Sequence, residues 1–210
     1  MKLQRESLHS FLRKATTHQA GVGICITRAR ELSMTITTKG ENMNRFIIEP
    51  TPHEIALSLC DQHVVKMPLE EAQMLCTALW HHAPDYAERE GLYKPVHQKH
   101  PCTLWAMETR ENYIFAYKLY SAMLHEYTNR YGKGHGACKH QLSLFQGRFK
   151  IPEGKLTRHP QCFSGHDDLK TDEFYPIEAY RKFYIVDKSR FARYKYTQKP
   201  TWMKGESNVA

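Results

Sequence analysis

The sequence predicts a mainly α-helical fold, a compact helical domain over residues 43–204 built on three major helices with long loops. Three periodic runs carry that prediction. From Asp61 to Trp80, residues Val64, Val65, Leu69, Ala72, Leu75, Cys76, Leu79 and Trp80 fall on one broad side of a helix turning about 100° per residue. From about Thr103 to Tyr131, Trp105, Ile114, Tyr117, Tyr120, Leu124, Tyr127 and Tyr131 recur at helical spacings. From near Pro176 to about Tyr194, Ile177, Tyr180, Phe183, Tyr184, Val186 and Phe191 form an apolar side opposite Arg181, Lys182, Lys188, Arg190 and Arg193.

Residues 1–42 precede the first of these elements. They bear Lys2, Arg5, Arg13, Lys14, Arg28, Arg30 and Lys39 against Glu6, Glu31 and Glu41, with Phe11 as their aromatic residue. A basic N-terminal arm, a targeting leader and an upstream extension all fit. Met43 then begins MNRFIIEP, whose Phe46–Ile48 run reads as a strand or an extended lead-in. Thr51 caps the next helix, Pro52 suits its first position, and Glu54 closes a capping box. Pro68 cannot donate to the Val64 carbonyl, so a kink or restart is expected there. Pro84, Gly91, Pro95 and Pro101 mark residues 82–102 as a long loop. Gly132 stops the second helix. Its aromatic stripe reads as core rather than as a base-stacking platform. Gln141–Phe149 reads as a short helix, and residues 205–210 as a frayed tail.

The 210 residues suffice for one substantial domain. The net charge of +8 favours anionic partners, nucleic acid first among them. The six cysteines form no CxxC pair, and no secretory signal is visible, so reduced intracellular thiols are expected. No run approaches the length of a membrane span. The absence of a Walker loop, a GxGxxG, a GxSxG elbow and a kinase motif set argues against nucleotide-driven phosphoryl transfer and dinucleotide redox chemistry.

Four constellations could carry chemistry. On the helix edge opposite the apolar side, His63, Lys66, Glu70 and Gln73 lie within about 80° of one another. The bland reading is a solvated face. The functional one is a carboxylate beside a cation and an imidazole, suited to proton transfer or to stabilising a sugar cation, with Lys66 as an amine nucleophile. The loop carries Lys94, His97, Lys99 and His100, either a phosphate grip or a solvated basic loop. The tail interleaves Arg190, Arg193, Lys195, Lys199 and Trp202 with Tyr194 and Tyr196, cations for phosphates and rings for unpaired bases. Finally, His135, Cys138 and His140 with His159, Cys162 and His166 could together supply zinc ligands. Their spacings match no strong template, so no metal ligand and no cofactor is assigned.

Four blocks, CDQHVVKMPLEEAQML (60–75), YKPVHQKHPCTLW (93–105), EYTNRYGKGH (126–135) and AYRKFYIVDKSRFARYKYTQKPTW (179–202), resemble a group of phage and environmental-virus proteins. The chain also resembles the phage pyrimidine-dimer DNA glycosylases of the endonuclease V type. In that family a DQH precedes a catalytic Glu by seven residues, as Asp61, Gln62 and His63 precede Glu70 here, and the aromatic-basic tail contains a PTW, matched by Pro200, Thr201 and Trp202. The resemblance implies an endonuclease V-like helical fold and a DNA glycosylase acting on a pyrimidine dimer or a modified base. Glu70 would be the catalytic carboxylate, His63 would sit in the DNA-facing site, and the tail would grip double-stranded DNA. An amine attacking the sugar C1′ would add AP lyase activity. Two departures stand out. Residues 1–42 precede Met43, where the family's N-terminal amine would lie, and Leu69 replaces the family's Arg before the catalytic Glu. Lys66, one turn before Glu70, is the substitute nucleophile. A monomer acting inside a cell is expected, in the cytoplasm of an infected host if the protein is phage-encoded. The alternatives are a non-catalytic nucleic-acid-binding phage protein and a zinc-bearing nuclease.

Overall fold

The computed structural model describes residues 43–204; the expectations for residues 1–42 and 205–210 lie outside the described residues. Seven α-helices and no strand occur among the described residues. They are α1 (Pro52–Ser58), α2 (Asp61–His82), α3 (Pro84–Arg89), α4 (Pro101–Glu108), α5 (Arg110–Tyr131), α6 (Gln141–Gly147) and α7 (Ile177–Phe183). The two 22-residue helices, α2 and α5, are each about 33 Å long and pack against one another.

The chain enters through an extended segment, with Phe46, Ile47 and Ile48 all buried. It pairs with no strand and packs as an apolar plug. The capping box at α1 forms as expected: Glu54 N donates to Thr51 Oγ1 and Thr51 N to Glu54 Oε2. The expected restart at Pro68 does not occur, because α2 runs unbroken from Asp61 to His82. The break falls at Leu59–Cys60 instead. There the Arg130 guanidinium donates to the Leu57 and Leu59 carbonyls at 3.0 and 2.9 Å, satisfying groups that the end of α1 leaves without helical partners. Near Pro68, His135 Nε2 donates to the Val65 carbonyl at 2.9 Å.

Two further boundaries differ from the sequence reading. The loop after His82 contains α3, and α4 starts at Pro101 with His100 Nδ1 accepting the Cys102 N–H. The second long helix is split at Thr109, which has an extended backbone and caps α5 by accepting from Asn112 N. The third helix is also shorter than its periodicity suggests. α7 ends at Phe183 and passes into one π-helical turn, Tyr184–Lys188.

Two apolar clusters share α2 and α5. One joins Leu75 and Leu79 to Trp105, Tyr113, Tyr120 and Leu144. The other joins Val64 and Met67 to Phe46, Leu59, Met123, Tyr180, Phe183 and Tyr184. Of the stripe read from sequence, Trp105, Tyr120 and Leu124 are buried, while Ile114, Tyr117, Tyr127 and Tyr131 are half-buried. Tyr113 and Tyr120 are fully buried, and their hydroxyls donate to the Leu144 and Ala137 carbonyls, fastening residues 137–144 onto α5.

Candidate active site

The polar edge of α2 is not a solvated face. His63 is 6% exposed and Glu70 is 9% exposed, while Lys66 and Gln73 are half-buried. Lys66 Nζ lies 3.1 Å from Glu70 Oε1, one helical turn away. The ammonium and the carboxylate thus form a close pair on a half-covered surface, where Coulomb attraction is stronger than in open water.

His63 is locked in an aromatic box. Its ring stacks on Phe46 with centroids 4.6 Å apart and meets Tyr184 and Phe191 edge-on. Its Nδ1 lies 2.7 Å from Tyr184 Oη, which itself accepts the Cys60 N–H. Burial, with Lys188 and Lys66 nearby, pulls the imidazole down to about 3. A ring with that titration is neutral at physiological pH. The ring packs as a wall and lies within hydrogen-bonding distance of the Tyr184 hydroxyl.

A cavity of about 560 Å3 opens beside this ring, lined by Asn44, His63, Lys66, Cys162, Lys188 and Arg190, among others. Its volume suits a small organic group such as a nucleobase. Three of those residues are cationic, and Lys188 is offset by Asp187 at 2.6 Å. Arg190, from the sequence-predicted tail set, therefore reaches the rim of the cavity that Lys66 lines.

The motif residues before His63 have a different task. Asp61 Oδ1 accepts from Arg130 at 3.1 Å and Oδ2 from Lys195 N at 2.7 Å. Asp61 N donates to the Arg193 carbonyl, while Gln62 bonds both Phe191 O and Arg193 N. Asp61 and Gln62 thus clamp the backbone of residues 191–195 to the start of α2. Sequence reasoning missed this role. The only signal was a short acid-amide pair at a helix N-terminus, which reads equally well as a cap.

The tail cations Arg193, Lys195 and Lys199 are exposed. Trp202 is not presented in the same way. Its indole donates to Glu49 at 2.7 Å and meets Tyr184 edge-on, so the half-buried ring packs against the core. The loop cations take several positions. Lys94 sits over Trp80 at 4.4 Å, and Lys99 lines a larger cavity of about 790 Å3 near Thr77 and His81. Trp80 is about 21 Å along α2 from Lys66. His97 is exposed in a left-handed backbone conformation, and His100 faces Cys102.

A second acid, Glu71, was not singled out by the sequence reading. It is 1% exposed and takes Arg45 through bonds of 2.5–3.1 Å, with the guanidinium also 5.0 Å from the Trp105 ring. Adjacent carboxylates on α2 therefore differ in kind. Glu71 closes an internal ion pair, whereas Glu70 pairs with a lysine that lines a cavity.

The two sequence-predicted His/Cys clusters are not assembled into one site. His135 has both ring nitrogens engaged, to Val65 O and Ala137 N. His159 is buried against Trp105 and Tyr180, and His166 stacks edge-on against Phe183. Among the described residues, the one group of close potential ligands is His100, Cys102 and Cys162.

Residues 43–139 match the family model of pyrimidine dimer DNA glycosylase. That span contains α1 to α5, the DQH and Glu70, so the resemblance read from the sequence holds there. In comparisons with curated proteins and with solved structures, nothing matches. Among the described residues, no helix is long and apolar enough to cross a membrane.

Proposed function

We propose that this protein is a DNA glycosylase that removes a damaged or modified base, with a pyrimidine dimer as the first substrate to test. The family match over residues 43–139 supports DNA as the substrate. One structural observation supports the reading further: Lys66 lines a base-sized cavity rimmed by cations, and its ammonium lies 3.1 Å from the Glu70 carboxylate one turn along α2. A base inside a duplex must leave the stack to be worked on. The cavity by His63 is the place for the extruded nucleotide. Lys188 and Arg190 would hold its phosphates, and the exposed Arg193, Lys195 and Lys199 would hold the flanking backbone.

Glu70 is the carboxylate in this mechanism. It stabilises positive charge on the sugar as the C1′–N bond breaks and the electron pair leaves with the base. Where an amine attacks C1′, the bond to C1′ forms as the base departs with a proton. The sugar ring then opens: the C1′–O4′ bond breaks, O4′ takes a proton, and the nitrogen electron pair forms the C1′=N Schiff base, which allows removal of the C2′ proton and β-elimination of the 3′ phosphate. Lys66 is the amine in the full chain; Glu70 would take its ammonium proton and pass it to the departing base, which restores the carboxylate that faces the sugar cation. Asn44 lines the same cavity, so a chain beginning at Met43 would bring an α-amine to the same neighbourhood.

Borohydride trapping on duplexes with a cyclobutane dimer or an abasic site tests the amine chemistry, using the full chain and a chain starting at Met43. The expected result is a covalent adduct that maps to Lys66 in the full chain. Glu70→Gln should lower base release by at least about 100-fold, the scale of losing one electrostatic stabiliser, while DNA affinity stays within a few fold. Release of base by E70Q at the wild-type rate would remove Glu70 from the mechanism. DNA binding with no release by the wild-type chain, across damaged and modified substrates, would leave a binding protein.

A further inference from the structure

Cys102 and Cys162 are free thiols whose sulfurs lie 3.6 Å apart, and His100 brings a ring nitrogen within 4.8 Å of both. These residues come from separate places in the chain. His100 and Cys102 stand at the start of α4, and Cys162 belongs to the irregular segment before α7. A zinc ion with Zn–S bonds of about 2.3 Å and tetrahedral angles holds two sulfurs about 3.8 Å apart. A disulfide would bring them to about 2.05 Å. The observed separation is close to a tetrahedral edge.

We propose that His100, Cys102 and Cys162 form a three-residue site for a thiophilic divalent cation, zinc above all, with its fourth position open to solvent. The chemistry of the set favours that ion: two sulfurs and an imidazole suit zinc and disfavour magnesium or calcium. A route for entry exists, because His100 and Cys162 line a cavity of about 320 Å3 together with Ser164, Asp167 and Lys170. Such a cavity leaves room for a water as the fourth ligand. The guanidinium nearest the thiols is Arg45, which reaches the Cys102 carbonyl at 3.4 Å and is neutralised by Glu71. That carboxylate offsets part of the guanidinium's repulsion of an incoming cation.

The ion would do structural work where the fold is least regular. Residues 160–164 have no helix, yet Cys162 and Ser164 form a wall of the cavity beside His63. Asn44 Nδ2 donates to the Cys162 carbonyl at 2.9 Å, a single bond holding that strip to the entering segment. A metal bridge from Cys162 to Cys102 and His100 would fix the wall to α4 at a second point.

The test uses the full chain, purified under reducing conditions without chelator, with metal measured by inductively coupled plasma mass spectrometry. About one zinc per chain is expected. Cobalt(II) reloading should give a thiolate-to-metal charge-transfer band in the near ultraviolet and intense visible bands of a tetrahedral centre. Cys162→Ser should lose at least about nine-tenths of the bound metal, and H100A should weaken cobalt affinity at least about tenfold, the loss expected for one ligand. Cys138→Ser should change neither. The half-exposed position of Cys162 permits a check that C162S keeps the wild-type circular dichroism. A folded, reduced wild-type chain that binds neither zinc nor cobalt would overturn the proposal. So would binding that survives C162S, or a Cys102–Cys162 disulfide in place of metal.

Discussion

Replacing Asp61 by asparagine isolates what the first residue of the DQH does. The change keeps the shape and removes the charge. Two bonds are affected: Arg130 to Oδ1 at 3.1 Å and Lys195 N to Oδ2 at 2.7 Å. The asparagine oxygen can still accept from Arg130. Its NH2 group then faces the Lys195 N–H, donor against donor. Hydrogen bonds to charged groups contribute about 1.5–3 kcal/mol and neutral ones about 0.5–1.5 kcal/mol. Weakening one bond and losing the other should therefore cost about 2–4 kcal/mol. Arg130 remains paired with Glu126 at 2.6 Å, so the guanidinium is not left uncompensated and the cost stays below that of a broken buried pair. The loss should appear first in the tail, because the Lys195 bond is one of a few that hold residues 191–195. Urea unfolding gives the total, and tryptic cleavage after Arg193 and Lys195 gives the local opening. D61N should cut faster at these sites under native conditions and bind duplex DNA more weakly. A stability change under about 0.5 kcal/mol, with cleavage unchanged, would refute the clamp.

Other consequences can be measured on the same protein. Glu71→Ala leaves Arg45 buried without its carboxylate and should cost about 3–5 kcal/mol in urea unfolding, whereas E70Q should cost far less; equal losses would contradict the assignment of one acid to structure and the other to chemistry. Acidification should destabilise the fold through His63. Its folded value of about 3 lies below the ordinary 6.5, so between those values the unfolded chain binds a proton that the native chain refuses, and stability falls as pH falls. Between pH 7.5 and 5 the contribution is about 2 kcal/mol, and His63→Gln should flatten the pH profile by that amount. A Cβ at Gly147 would stand 2.5 Å from Leu79 Cδ1 in the core, so Gly147→Ala should destabilise by about 1–3 kcal/mol despite alanine's better helix propensity; a stabilised variant would show that Leu79 moves aside freely.

The periodic runs found α2, the body of α5 and the start of α7 because a helix that packs on one side must repeat its apolar residues. Caps were legible where the residues act on their immediate neighbours, as Thr51 with Glu54 and Gly132 at φ 65° show. Boundaries set by distant partners were not. The break at Leu59–Cys60 depends on Arg130, about seventy residues later, which turns toward the carbonyls of α1 only in the folded chain. The split at Thr109 looks in sequence like one more turn of an aromatic helix, and the short α3 hides among loop-forming residues.

The site divides along the same line. Glu70 and Lys66 lie one turn apart on one helix, so the sequence alone places them side by side, and the structure puts 3.1 Å between them. The burial of His63 is another matter. Its neutral state comes from Phe46, Tyr184 and Phe191, which reach it from an extended segment, a π-turn and the tail. Helical spacing cannot report which remote rings exclude water from an imidazole. The proximity of Cys102 to Cys162, and the hydrogen bond from Trp202 to Glu49, are likewise outcomes of long-range packing. The sequence by itself determined the helices and the pairing of charges along one of them, because both follow from 3.6 residues per turn. Only the tertiary structure decided which polar groups lose their water, because desolvation depends on what the rest of the chain brings to them.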